Sequence, residues 1–280
     1  MEMQETHSLK EEHESRMKTV HSADGTVIAY DQFGDQGPPV ILVAGAFNTR
    51  ATTDGLARTL QDDCIALNLD RRGRGESGDT APYSVDREIE DLDAVIGAAG
   101  TDVLVFGYSS GALLALRAAA ARSHIAGLVL YEPPYRPSDM PPMIPPDLVA
   151  QLDDLIAEGR RGDAVELYQT KAIGMPAEVV AQMRNAPFRP ALEALAHTLA
   201  YEARLVGDLS LPEELLKSVT VPTRVIAGEN TSPFMLAAAR SLAEALPAAR
   251  FVTLPGQSHD IDPGATAPVV VELANEVGGK

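Results

Sequence analysis

Short, dense apolar runs alternate along the chain with longer segments in which apolar residues recur every three or four positions. KTVHS and TVIAYDQF alternate in polarity on either side of Ala23-Asp24-Gly25, which predicts a hairpin. PPVILVAGAF is an apolar run closing on a glycine-containing loop, the pattern of a buried parallel strand. ATTDGLARTL has helical spacing, DCIALNLD reads as another buried strand, and RRGRGESG is a glycine-rich loop. In SVDREIEDLDAVIGAAG, residues Val85, Ile89, Leu92, Val95 and Ile96 fall on one stripe with acids opposite, so an amphipathic helix is predicted. VLVF is a strand, SGALLALRAAAA a helix whose alanines permit close packing, and IAGLVLY a further strand.

Strands alternating with helices predict an α/β fold with a mostly parallel central sheet flanked by helices. The rhythm breaks at EPPYRPSDMPPMIPP, too rich in proline for the interior of an element. A long helical stretch without strands follows, so residues 134–216 are expected to form a helical lid with a rigid, proline-built entrance. TRVIAG (strand), FMLAAARSLAEAL (helix), ARFVTL (strand) and APVVVELANEV (helix) then resume the pattern. The expected core is residues 18–133 and 217–280. Residues 1–17, charged and without an apolar centre, are expected to be a disordered tail or a short solvated helix, neither leader nor anchor.

Composition narrows the partners. In 280 residues, 40 acids stand against 23 bases, for a net charge of -17. That balance argues against nucleic acid, which requires a basic footprint. It suits a cytoplasmic enzyme acting on a small, uncharged molecule. No apolar run reaches membrane-spanning length. Cys64 is the single cysteine and reads as core filler. No histidine, cysteine or acid cluster has metal-ligand spacing, so no metal or cofactor is expected. A monomer and a homodimer are equally compatible.

The chemistry centres on GYSSG, which falls where strand turns to helix. A serine at such a turn is held out at the sheet's C-terminal edge, and the spacing selects Ser109 over its neighbour Ser110. A serine needs a base. His259, in LPGQSHDIDPG between the last strand and the last helix, lies at the same edge. The acid is less direct. The strand-end loop AGENTSPF holds no aspartate, and Thr231 stands where spacing would put the acid. Glu132, closing IAGLVLYE one strand from Ser109, is the first candidate; Glu229 is the alternative, with Asp260 behind it. A triad is defined by geometry and not by sequence address.

With these residues placed, the chain over residues 18–277 resembles the α/β-hydrolase superfamily in ILVAGAF, LDRRGRGES, GYSSG and the terminal GQSH. The resemblance implies an α/β-hydrolase fold, an oxyanion hole made by the N–H groups of Ala46 and Ser110, and a lid after the strand bearing Glu132. Ala44 stands where the family often has histidine. LYEPP with the SPF loop looks like a subgroup in which the acid has moved to the earlier strand. Phe47, Asn48 and Tyr108 are expected at the pocket, with Met140, Met143, Ile144, Met175, Met183 and Phe188 as its apolar lid lining or as lid core. RRGRGESG lacks a phosphate-binding pattern and reads as a structural loop in which Arg71, Arg72 and Arg74 pair with acids. The expected activity is a serine hydrolase cleaving a small, largely apolar ester, lactone or related acyl compound. Two alternatives stand beside it: a cyclase, lyase or dehydratase using His259 as base, and a non-catalytic binding protein.

Overall fold

A computed structural model describes residues 16–278, apart from 101, 122, 123 and 138. Residues 1–15 of the expected tail lie outside the described residues, and Met17 already opens the first strand. The strands are β1 (Met17–His21), β2 (Val27–Phe33), β3 (Pro39–Val43), β4 (Ile65–Leu69), β5 (Val103–Tyr108), β6 (Ile125–Tyr131), β7 (Thr223–Gly228) and β8 (Ala249–Leu254). They form one sheet in the order β1-β2-β4-β3-β5-β6-β7-β8. β1 and β2 pair antiparallel, as do β2 and β4, while the pairs from β4 through β8 are parallel.

The continuous apolar runs are explained by burial of both faces, because successive side chains of a strand point oppositely. Val40, Leu42, Leu104, Phe106, Val129 and Tyr131 face α1 (Asp54–Leu60) and the last helix, α11 (Pro263–Gly278). Ile41, Val43, Val105, Leu128 and Leu130 face the other way. That second face is covered by α2 (Val85–Ala99), α3 (Ser110–Ala121) and α10 (Pro233–Ala245). Between β6 and β7 come α4 (Leu148–Ala157), α5 (Arg161–Lys171), α6 (Ala177–Gln182), α7 (Arg189–Ala194), α8 (Leu199–Val206) and α9 (Glu213–Ser218).

One expectation for α2 needs correction. Ile89, Leu92, Val95 and Ile96 are buried as its stripe predicts, but Glu88 and Asp91 are buried as well. Their counter-charges come from the loop after β4. Arg71 donates through Nε and Nη2 to Glu88 at 2.7 and 2.9 Å, and Arg72 grips Asp91 through two bonds of 2.6 Å. Arg71 Nη1 also reaches Glu202 of α8 at 2.6 Å, and Arg74 Nη2 reaches the same oxygen at 2.5 Å. Burial alone would raise the Glu88 carboxyl, but the charges of Arg71 and Arg74 and its hydrogen bonds hold it down to about 2. Burial pushes Asp91 upward despite Arg72.

Candidate active site

β3, β5, β6, β7 and β8 all end at one edge of the sheet, the edge where open α/β folds bind ligands. β5 runs straight into α3 through Ser109, whose φ is +54°. This left-handed turn is pinned by the Ser109 N–H donating to the Tyr131 carbonyl at 2.8 Å and by Ala112 N–H donating to the Ser109 carbonyl at 2.9 Å. Side chains at Gly107 or Gly111 would collide with Ala112 and with the Val43 carbonyl, so strand, turn and helix meet this closely only with glycine there. Ser110 is buried at the start of α3, where backbone N–H groups lack intrahelical acceptors.

The loop after β3 lies beside this elbow. A Cβ built on Gly45 would sit 3.0 Å from the Ser109 Cβ. Ala46 follows, with its carbonyl accepting from Asn48 Nδ2 at 2.7 Å. Thr52 Oγ1 donates to Asn48 Oδ1 at 2.7 Å, fixing that amide in turn. Arg71 Nη1 donates to the Ala44 carbonyl at 3.3 Å, joining the loop to the buried ion cluster.

Glu132 directly follows β6 with φ +47° and is completely buried. Its N–H donates to the Ile226 carbonyl at 2.8 Å, which fastens it to β7. Oε1 accepts from the Gly228 N–H at 2.9 Å. Oε2 accepts from Thr231 Oγ1 at 2.8 Å and from His259 Nδ1 at 2.6 Å. A buried carboxylate with three donors is fully satisfied as an anion. The bond also places the His259 proton on Nδ1 and leaves Nε2 with its lone pair. The other two acids are placed differently. Glu229 is exposed and accepts from Gly256 N–H at 2.8 Å, bracing the turn after β8. Asp260 is exposed, and its carbonyl accepts from Tyr131 Oη.

A cavity of about 910 Å³ opens over this edge. Ser109, Ser110, Ala46, Phe47, Asn48, Tyr108 and His259 all line it, as do Met143 and Met175. Met140, Met183 and Phe188 are not among its lining residues. Phe188 is 49 % exposed ahead of α7, Met183 lies in a 3₁₀ turn after α6, and the Met140 carbonyl is bound by Arg136. Ile144 is buried in the core. Tyr168, Ile173, Leu209, Phe234 and Met235 line the cavity without having been singled out from the sequence. The signal for Phe234 and Met235 was present, since they are bulky residues at the start of a helix otherwise rich in alanine. Among the described residues, no aspartate, glutamate, lysine or arginine lines the cavity. Burial pushes the Tyr108 hydroxyl up, with Asp260 and Glu132 adding to it, so it remains protonated. The Tyr108 ring lies 5.0 Å from that of His259.

Among the described residues, no group of three or more His, Cys, Asp or Glu side chains is placed to hold a metal ion. No described helix is long and apolar enough to cross a membrane.

A model of the alpha/beta hydrolase family matches residues 40–272. The structure of an alpha/beta hydrolase from Sphaerobacter thermophilus DSM 20745 is 49% identical, with a TM-score of 0.85 over 91% of this chain and 99% of that one. N-formylmaleamate deformylase of Pseudomonas putida KT2440 is 36% identical over 117 residues, 40% of this chain. That match spans only 44% of the deformylase. The esterase RhEst1 from Rhodococcus sp. ECU1013 is similar in fold, with a TM-score of 0.66 at 22% identity, over 94% of this chain and 100% of that one.

Proposed function

The chain belongs to the alpha/beta hydrolase family, and from that premise we propose that it is a serine hydrolase of small, largely apolar esters, lactones or related acyl compounds. The observation that carries this reading is the buried Glu132 carboxylate held 2.6 Å from His259 Nδ1, at the rim of the cavity into which the Ser109 turn opens. His259 Nε2 takes the Ser109 proton as Oγ attacks the substrate carbonyl. The developing oxyanion is received by the N–H groups of Ala46 and Ser110. Glu132 stays ionised, holds the imidazole tautomer and offsets the positive charge on the ring. The tetrahedral adduct collapses to an acyl-enzyme as Nε2 returns the proton to the leaving group. Water, deprotonated by the same nitrogen, then releases the acid. Residues 134–216 serve as the lid over this chemistry.

The cavity supports an uncharged substrate. Its side chains are mostly apolar, and no lysine or arginine is among the described lining residues. Similarity to a deformylase favours one further acyl class, an N-formyl amide, which the same machinery would cleave by attack on the formyl carbon. A kinetic panel decides between them. Neutral short-chain p-nitrophenyl esters and a neutral N-formyl amide are compared with carboxylate-bearing counterparts. The expected result is ester turnover that falls by about 10⁴-fold or more in Ser109→Ala. Turnover untouched by that substitution would refute the proposed nucleophile.

A further inference from the structure

Tyr131 closes β6, immediately before Glu132, and is completely buried. Its backbone carbonyl accepts from the N–H of Ser109 at 2.8 Å. Its side chain crosses to the loop that carries His259. There Oη lies 2.9 Å from the Ser258 carbonyl and 3.2 Å from the Asp260 carbonyl, the peptide oxygens on either side of the histidine. A phenol has one proton, so the two carbonyls share it. The residue thus meets the nucleophile through its backbone, the acid through the chain and the base through its hydroxyl.

Few other bonds hold that loop. Among the described residues, the loop's backbone is tied by Gln257, whose carbonyl accepts from Asn230 N–H at 2.7 Å and whose N–H donates to the Leu254 carbonyl at 3.3 Å, and by Asp262, whose carbonyl accepts from Thr266 N–H at 3.0 Å. Between them no backbone-to-backbone hydrogen bond joins residues 258–261 to the rest of the described chain. The histidine side chain is 43% exposed, so packing alone restrains it weakly. We propose that Tyr131 is a positioning residue whose hydroxyl clamps the 258–260 backbone and so holds the His259 ring in line between Glu132 and Ser109. The proposal rests on the hydrolase reading for its effect on rate, though not for its effect on the ring. Burial, together with Glu132, Asp260 and Asp262, pushes the Tyr131 hydroxyl up, so the donor proton is retained throughout the neutral range.

Tyr131→Phe isolates the clamp. The ring keeps its contacts with Phe106 and Tyr108, at 6.4 and 5.9 Å between centroids, and the backbone bond to Ser109 is unchanged. Circular dichroism and a thermal melt check that the variant keeps the fold. Two readouts are taken on the same sample. The first is kcat and KM on a neutral ester, with kcat expected to fall about tenfold and KM to stay within about twofold. The second is the far-downfield proton resonance of the Nδ1–H shared with Glu132, assigned by its loss in His259→Asn and expected to broaden or move upfield. Wild-type kcat with an unchanged resonance would overturn the proposal. So would a change confined to KM, which would make Tyr131 a shaper of the pocket. Failure of the wild type to hydrolyse any ester would count against the hydrolase reading instead, and the resonance would still decide whether the clamp exists.

Discussion

Phe47, Ser109, Glu132 and Leu209 are the non-glycine residues with positive φ among those described. Three of them line the cavity, and the fourth carries the carboxylate that holds His259. Such conformations cost on the order of 1–3 kcal/mol each and persist where surrounding contacts over-determine them. Here those contacts are identifiable: two backbone bonds at Ser109, and one backbone plus three carboxylate bonds at Glu132. Ser109 and His259 were legible from the motif and its late loop, and Glu132 from a strand-end acid followed by prolines. Thr231 was legible only as a position where an acid was missing. Its hydroxyl supports Glu132 across 99 positions of sequence, a contact that local patterning does not encode. The three acids and donors are therefore separable by substitution. Glu132→Gln, which keeps the shape but loses the charge, should lower kcat by about 10³–10⁴-fold. Thr231→Val should cost about threefold to tenfold, the scale of one supporting hydrogen bond. Glu229→Gln should stay within about twofold of wild type. Steady-state kinetics on one ester ranks all three, and a larger loss in Glu229→Gln than in Glu132→Gln would reverse the acid assignment.

The loop after β4 joins elements distant in sequence. Arg71 touches the Ala44 carbonyl, Glu88 of α2 and Glu202 of α8, tying the loop after β3 and a helix from between β6 and β7 to the core. The loop was readable as structural, and its arginines as partners for acids. Which acids was not readable, because Glu202 lies 131 positions from Arg71. For the same reason a helical wheel places Glu88 in solvent when the fold buries it. Among the described residues, the six α-helices between β6 and β7 are short, the longest running from Arg161 to Lys171, so no long stripe announced which residues face the cavity. Met143 and Met175 do, while Met183 and Phe188 do not. The ion cluster makes a pH prediction. Glu88 titrates at about 2 in the folded protein against 4.5 ordinarily, so the unfolded chain takes up its proton first as pH falls. Its contribution is present above about pH 4.5 and is lost as pH drops toward 2. Glu88→Gln should lower stability at neutral pH, by about 3–5 kcal/mol for breaking a buried pair, and flatten the loss of stability between about pH 5 and 3. Urea unfolding across that range measures both effects, and parallel curves for the two proteins would contradict the role given to Glu88.

At the scale of the molecule, a mostly parallel sheet gathers residues from five strand ends over a cavity whose described lining holds no Asp, Glu, Lys or Arg, in a chain of net charge -17. The order of strands and helices was legible because the inner strands β2 to β7 are buried on both faces, the edge strands β1 and β8 less so, and each outer helix on one. Continuous apolar runs and striped segments record that difference directly. The net negative charge disfavours approach of anions, and no lysine or arginine is among the described lining residues, which supports the proposal of a neutral acyl substrate. The proposed hydrolysis depends on Ser109 being the activated nucleophile. The most direct measurement is reaction with a fluorophosphonate followed by mass spectrometry of the peptides. The expected result is one adduct per chain on Ser109, absent in Ser109→Ala and formed far more slowly in His259→Ala. A folded protein that takes up no phosphonate, or carries it on Ser110 instead, would contradict the account.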